Sequence, residues 1–115
     1  MSPTIEDRRL DALFTALSDS TRRDIVARLS TGEATVKELA EPYAMSLQAV
    51  SQHIRVLQRS GLISQGRHRQ TRPCRLEPEA LEAALSWIEE SRRTWSDRMD
   101  RLETHLASLQ ERVDQ

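Results

Sequence analysis

The sequence predicts a mainly α fold, a winged helix-turn-helix of order α-α-α-α-β-β-α that ends in one long helix. Three observations predict it. Helical apolar periodicity recurs in five separated segments, a basic stretch with turn-bounded strand character precedes the last of them, and that last segment carries an apolar seam at alternating steps of four and three residues. The chain is read as one domain, residues 1–115, in which 1–18 and 78–113 are dimerisation helices, 35–60 the helix-turn-helix and 62–76 the wing.

The first helix is expected over residues 4–17, because Leu10, Leu13, Phe14 and Leu17 recur on one helical face. Asp19 then stands where an N-cap belongs. The second helix, residues 20–29, would bury Ile25, Val26 and Leu29 and stop at Ser30-Thr31-Gly32. Thr35 followed by Glu38 is a capping box for a short third helix through Glu41 that turns Val36 and Leu39 inward, and Pro42 closes it. Ser46 caps a fourth helix to about Arg59, with Val50, Ile54 and Leu57 facing the core. The turn between the third and fourth helices has no glycine, Pro42 and Ala44 standing there instead, so their crossing angle is left open. Gly61 ends the fourth helix, and residues 64–76 read as two short strands around an Arg67-His68-Arg69-Gln70 tip. Pro73 cannot donate a ladder hydrogen bond, which makes the second strand short or an edge.

The last helix begins near Pro78. Its seam is Leu81, Leu85, Ile88, Arg92, Trp95, Met99, Leu102, Leu106, Leu109 and Val113, interrupted only by Arg92. Such a heptad seam asks for a partner helix, and at ~1.5 Å per residue it spans roughly 50 Å, more than a domain this small can cover. A homodimer is therefore expected, with Leu10 and Leu13 of the first helix and Leu85, Ile88, Trp95, Met99, Leu102 and Leu106 of the last at the interface.

Charge is distributed unevenly. Six arginines and no acidic residue stand between Met45 and Leu76, although the whole chain has 17 Lys and Arg against 18 Asp and Glu. The net charge of −1 conceals a basic middle, which is the footprint of a nucleic-acid reader. Apolar windows are broken by charge every few residues, so neither a membrane span nor a signal peptide is read, and a cytoplasmic location is the expectation. The single Cys74 has no partner within the chain for a disulfide, in keeping with a reducing compartment. An enzyme is the weakest reading, since there is no nucleophile–base–orienter set and no phosphate-binding glycine loop.

On the fourth helix, Gln48, Gln52, Arg55 and Arg59 lie opposite the core stripe. Gln matches adenine and Arg matches guanine bidentately, so Gln48, Gln52 and Arg55 are the candidate base readers. Ser46, Ala49, Ser51 and His53 flank them and suit phosphate or base-edge contacts. In the wing, Arg67, His68, Arg69 and Arg72 suit phosphates or the minor groove, and Arg23 is a further candidate. For Arg72 and Arg75 the plain alternative is solvation or pairing with a neighbour such as Glu77.

The runs Ala16-Leu17-Ser18-Asp19-Ser20-Thr21-Arg22-Arg23-Asp24-Ile25, Val36-Lys37-Glu38-Leu39-Ala40, Met45-Ser46-Leu47-Gln48-Ala49-Val50-Ser51-Gln52-His53-Ile54-Arg55-Val56-Leu57 and Gly61-Leu62-Ile63 resemble the ArsR/SmtB family of bacterial winged helix-turn-helix repressors. The resemblance covers nearly the whole chain and implies a dimeric DNA-binding repressor. The segments Arg72-Pro73-Cys74-Arg75-Leu76, Trp87-Ile88-Glu89 and Arg92-Arg93-Thr94-Trp95 look like a subgroup often encoded beside START-like (SRPBCC) proteins. Metal-sensing members carry two cysteines in the third helix where Thr35 and Lys37 stand here, and an Asp-x-His with a later His where this chain offers only Glu103 and His105. No metal and no cofactor is therefore expected.

The function expected from the sequence is a homodimeric regulator, a repressor acting on its own promoter, that sets two fourth helices in successive major grooves of double-stranded DNA, ~34–36 Å apart on a near-palindromic operator. An unidentified small-molecule effector could shift the dimer geometry. Two alternatives remain: a protein-binding module that uses the long seam helix, and a redox-responsive regulator acting through Cys74.

Overall fold

A computed structural model of the chain describes residues 4–67 and 72–114. Its elements are α1 (Ile5–Ala16), α2 (Ser20–Leu29), α3 (Val36–Ala40), α4 (Leu47–Arg59), β1 (Ile63–Gln65), β2 (Cys74–Leu76) and α5 (Pro78–Val113). This is the winged helix-turn-helix order that the sequence predicts.

Local chemistry sets each helix start. The Thr4 hydroxyl accepts from Asp7 N at 3.0 Å while Asp7 accepts from Thr4 N at 3.1 Å, a reciprocal cap for α1 that the sequence reading passed over. Asp19 accepts from Arg22 N at 3.1 Å, Thr35 and Glu38 cap one another, and the Ser46 hydroxyl accepts from Ala49 N at 3.1 Å. Each cap satisfies a backbone donor that the first helical turn leaves without a partner, and each is worth about 1 kcal/mol. At the other end of α4 the chain must leave the helix through a left-handed residue. Gly61 takes it at φ +85°, and Leu62 N then returns to Leu57 O at 3.1 Å.

The chain divides into two compact units, Met1–Ala84 and Leu85–Gln115. In the first, Leu13, Ile25, Leu39, Val50, Leu57, Leu62 and Cys74 are completely buried, and Ala80 and Ala84 from the opening of α5 join the same core. Burying one leucine or isoleucine side chain is worth about 1.5–3 kcal/mol, so these residues fix how α1 to α4 pack. The buried Ser60 keeps its hydroxyl satisfied, donating to Leu57 O at 2.8 Å and accepting from Leu62 N at 3.3 Å.

The wing is an antiparallel pair in which Ile63 faces Leu76, Ser64 faces Arg75 and Gln65 faces Cys74. An isolated single-residue bridge, not indicated by the sequence, extends this pair. Cys74 N donates to Ala34 O at 2.7 Å and Ala34 N to Cys74 O at 3.2 Å, so the segment between α2 and α3 runs alongside β2. One pairing residue has no periodicity for a sequence to display.

In the second unit, α5 continues as a single helix. Its seam residues Leu85, Ile88, Trp95, Leu102, Leu106, Leu109 and Val113 are exposed, and Met99 is half-buried. Leu13, expected at a dimer interface, is instead spent entirely in the core of the first unit, while Leu10 is half-buried against that core. The α1 apolar stripe faces inward at Leu13 because α4 packs on it, while Leu10, Phe14 and Leu17 are half-buried. No helix of the described residues is long and apolar enough to cross a membrane.

Candidate nucleic-acid interface

The fourth helix is divided by its own periodicity. Val50, Ile54 and Leu57 are buried, whereas Gln48, Gln52, Arg55 and Arg59 are all exposed on the opposite side. Ala49 and Ser51 are half-buried on the flanks. Ser46 is exposed, but its hydroxyl is already engaged as the helix cap. The first turn of α4 contains no acidic residue, so its positive dipole end is uncompensated from within the helix.

His53, expected to flank the reading face, is held against α2. Arg22 Nη1 lies 3.2 Å from His53 Nδ1, and Asp19 Oδ2 lies 3.8 Å from the same nitrogen. Arg22 donates from Nε to Ala16 O at 2.7 Å and from Nη2 to Thr15 O at 3.2 Å, satisfying the carbonyl end of α1. Arg23, a further candidate for DNA, donates to Leu17 O at 2.8 Å. Asp19 is held below the usual aspartate range chiefly by the Arg22 backbone N–H; partial burial opposes this, and His53 and Arg22 reinforce it by charge.

The wing is fastened to the end of α4 by side-chain amides. Gln58 Nε2 donates to Gln65 Oε1 at 3.3 Å, and Gln65 Nε2 donates to Arg72 O at 3.0 Å. Beyond the strands, Gly66 N donates to Pro73 O at 2.8 Å, with Arg67 and Arg72 exposed on either side. Arg72 occupies a positive φ of 28°, uncommon for a side-chain-bearing residue and a mark of the tight return into β2. Arg75 pairs with Glu77 at 3.4 Å, as the plain reading of its charge expects. His68 and Arg69, expected in the wing, lie outside the described residues.

Residues 17–65 match the family model described as a helix-turn-helix domain. The HTH-type transcriptional regulator Rv2034 of Mycobacterium tuberculosis is 41% identical over 76 residues, 66% of this chain and 71% of that protein. The transcriptional repressor SdpR of Bacillus subtilis is 30% identical over 79 residues, 69% of this chain and 88% of that one. Among solved structures, the ArsR family transcriptional regulator RHA00566 superposes with a TM-score of 0.72 at 40% identity, across 76% of this chain and 97% of that one. This chain belongs to the ArsR family of helix-turn-helix transcriptional regulators.

In this ArsR-family regulator the third-helix positions that carry cysteine in metal-sensing members do other work. Thr35 is the α3 cap, and Lys37 is exposed. Glu38, which completes that cap, is held below the usual glutamate range by the Thr35 backbone and hydroxyl. Among the described residues no group of three or more His, Cys, Asp and Glu stands close enough to hold a metal ion. Cys74 is fully buried in the core, and burial pushes its thiol above the usual range. A protonated, enclosed thiol is a poor nucleophile, which counts against the redox reading.

Four residues of consequence were not singled out as such: Arg22, Asp24, Arg28 and Tyr43. Arg28 donates to Leu39 O at 2.8 Å and Glu38 O at 3.1 Å, closing the carbonyl end of α3, and its guanidinium sits 5.5 Å over the Tyr43 ring. The Tyr43 hydroxyl donates to Asp24 Oδ2. Their sequence signal is slight: two arginines on a short helix whose spacing from the next elements has meaning only after folding.

Proposed function

We propose that this regulator is a homodimeric repressor that reads a near-palindromic operator with α4 and steadies itself on phosphates with the wing. The observation that carries the reading is the division of α4, with Val50, Ile54 and Leu57 buried and Gln48, Gln52 and Arg55 exposed together on a helix without acidic residues. Gln48 and Gln52 suit adenine and Arg55 suits guanine, while Arg67 and Arg72 suit backbone phosphates. Ser51 and Ala49 border the bases. His53 contributes through its Nε2 edge, because Nδ1 faces Arg22 and Asp19. Ser46 contributes by starting the helix.

The repressor part of the reading draws on the likeness to SdpR, a transcriptional repressor at 30% identity. The homodimer part draws on α5. An isolated helix with Leu85, Ile88, Trp95, Leu102 and Leu106 exposed along one seam is stable in water only when that seam is covered, and a second copy of the same seam fits it.

Fluorescence anisotropy tests this directly, with duplex from the region upstream of the gene compared with a shuffled duplex at two salt concentrations, with and without Zn²⁺. Tight, salt-sensitive binding to the native duplex alone, unchanged by zinc, is expected. Equal, weak binding to both duplexes would overturn the operator reading and favour a protein-binding role for the α5 seam.

A further inference from the structure

The turn between α3 and α4 runs from Glu41 to Met45 without glycine, and among the described non-glycine residues only Arg72 has a positive φ. Helix-turn-helix turns commonly use a left-handed glycine, which fixes the chain reversal through the backbone itself. Here the backbone supplies no such device, so something else must hold the start of α4 in place.

The side chains of α2 do so. Tyr43, in the middle of the turn, donates its hydroxyl to Asp24 and lies under the Arg28 guanidinium at 5.5 Å. The same guanidinium donates to Leu39 O at 2.8 Å and Glu38 O at 3.1 Å at the carbonyl end of α3. Backbone bonding adds Tyr43 N to Ala40 O at 3.1 Å. One helix thus grips both the end of α3 and the turn, three residues before the Ser46 cap of α4. Desolvation, and then the Asp24 carboxylate, push the Tyr43 phenol up, so it remains a proton donor to Asp24 throughout the working pH range.

We propose that Tyr43, gripped by Asp24 and Arg28, is a positioning residue for DNA reading: it sets the entry of α4 into the groove without touching DNA. This rests on α4 being the reading helix. A recognition constellation tolerates errors of only about 0.5 Å, so release of the turn should loosen base contacts before it loosens the fold. Phosphate contacts, made by long flexible arginines, are less exacting.

The test uses the full-length protein and a duplex that the wild-type protein selects from a randomised pool, with a shuffled duplex as reference. Tyr43→Phe removes the hydroxyl and keeps the ring on Arg28. It is expected to bind the selected duplex about tenfold more weakly, about 1.4 kcal/mol, while binding to the shuffled duplex and the slope of affinity against salt stay unchanged. Asp24→Asn keeps an acceptor for the phenol and is expected to bind like wild type, whereas Asp24→Ala should reproduce the Tyr43→Phe defect. Circular dichroism melts of each variant should remain cooperative. Wild-type affinity in Tyr43→Phe would overturn the proposal. So would equal loss on both duplexes with a shallower salt slope, which would make Tyr43 a phosphate contact. Failure of the wild-type protein to select any duplex would remove the underlying reading instead.

Discussion

Arg22 Nη1 lies 3.2 Å from His53 Nδ1, and the other two nitrogens of the same guanidinium donate to the last carbonyls of α1. One side chain therefore joins the end of α1, the start of α2 and the middle of α4. Arg22→Ala leaves those carbonyls and the imidazole without their partner in a partly buried place. The expected cost is about 1.5–3 kcal/mol of unfolding free energy, read from urea denaturation. Arg22→Lys should recover little, because an ammonium is a point donor and cannot reach three groups with fork geometry. A loss under ~0.5 kcal/mol for Arg22→Ala would mean the network is ornamental.

Acid should weaken the same corner. The folded-state pKa of Asp19 lies below its unfolded value, mainly because the Arg22 backbone N–H favours the carboxylate. Its contribution is therefore complete above the unfolded value, ~3.9, and is lost as pH falls through the lower folded value. Glu38 shifts in the same direction through Thr35. Stability is expected to be flat from neutral pH to about 5 and to fall below about 4. Asp19→Ala should cost about 1 kcal/mol at pH 7 and flatten the acid limb, which denaturation at stepped pH would show. An acid limb of unchanged steepness in the variant would assign it to other carboxylates.

The caps at Asp19, Thr35 with Glu38, and Ser46 were legible because a cap is decided within three residues of sequence. The α4 core stripe was legible for a related reason, since its period is built into the helix. The Tyr43–Asp24 and Arg22–His53 contacts were not, because they join residues 19 and 31 apart and exist only once α2 has packed. Leu13 shows the same limit on an apolar residue. Periodicity marked its face as sticky but could not say whether its own core or a second copy would cover it, and the core does.

Cys74 is expected to ignore mild oxidants. Its side chain is fully buried in β2, its amide is locked to Ala34 O at 2.7 Å, and burial raises its thiol. Thiol labelling at neutral pH should proceed only as fast as the core opens, and peroxide treatment should leave DNA affinity unchanged. Rapid labelling of the folded protein would restore the redox reading.

Base readers and phosphate contacts should separate in a simple comparison. Arg55→Ala is expected to cost about 1–3 kcal/mol on the native duplex and little on a shuffled one. Arg67→Ala should weaken both alike and make the salt slope shallower by about 0.9. Anisotropy titrations at three salt concentrations distinguish the two patterns. If Arg55→Ala weakened both duplexes equally, Arg55 would be a phosphate contact and the assignment of base reading would fall back on Gln48 and Gln52.

Arg92 stands in the middle of the α5 seam and is paired with Glu89 at 2.8 Å on its own helix. If this seam meets a second copy, association must strip water from a cation whose flanking seam residues, Ile88 and Trp95, are apolar. Polar residues at such positions lower stability while fixing register. Arg92→Leu is therefore expected to tighten self-association at least tenfold in sedimentation equilibrium, about 1.4 kcal/mol, whereas Leu102→Glu should loosen it by a similar factor or more. The pair of variants is more telling than either alone. A protein merely made stickier would aggregate with Arg92→Leu yet keep its wild-type dimerisation with Leu102→Glu, whereas a seam that is the interface must respond to the two substitutions in opposite directions.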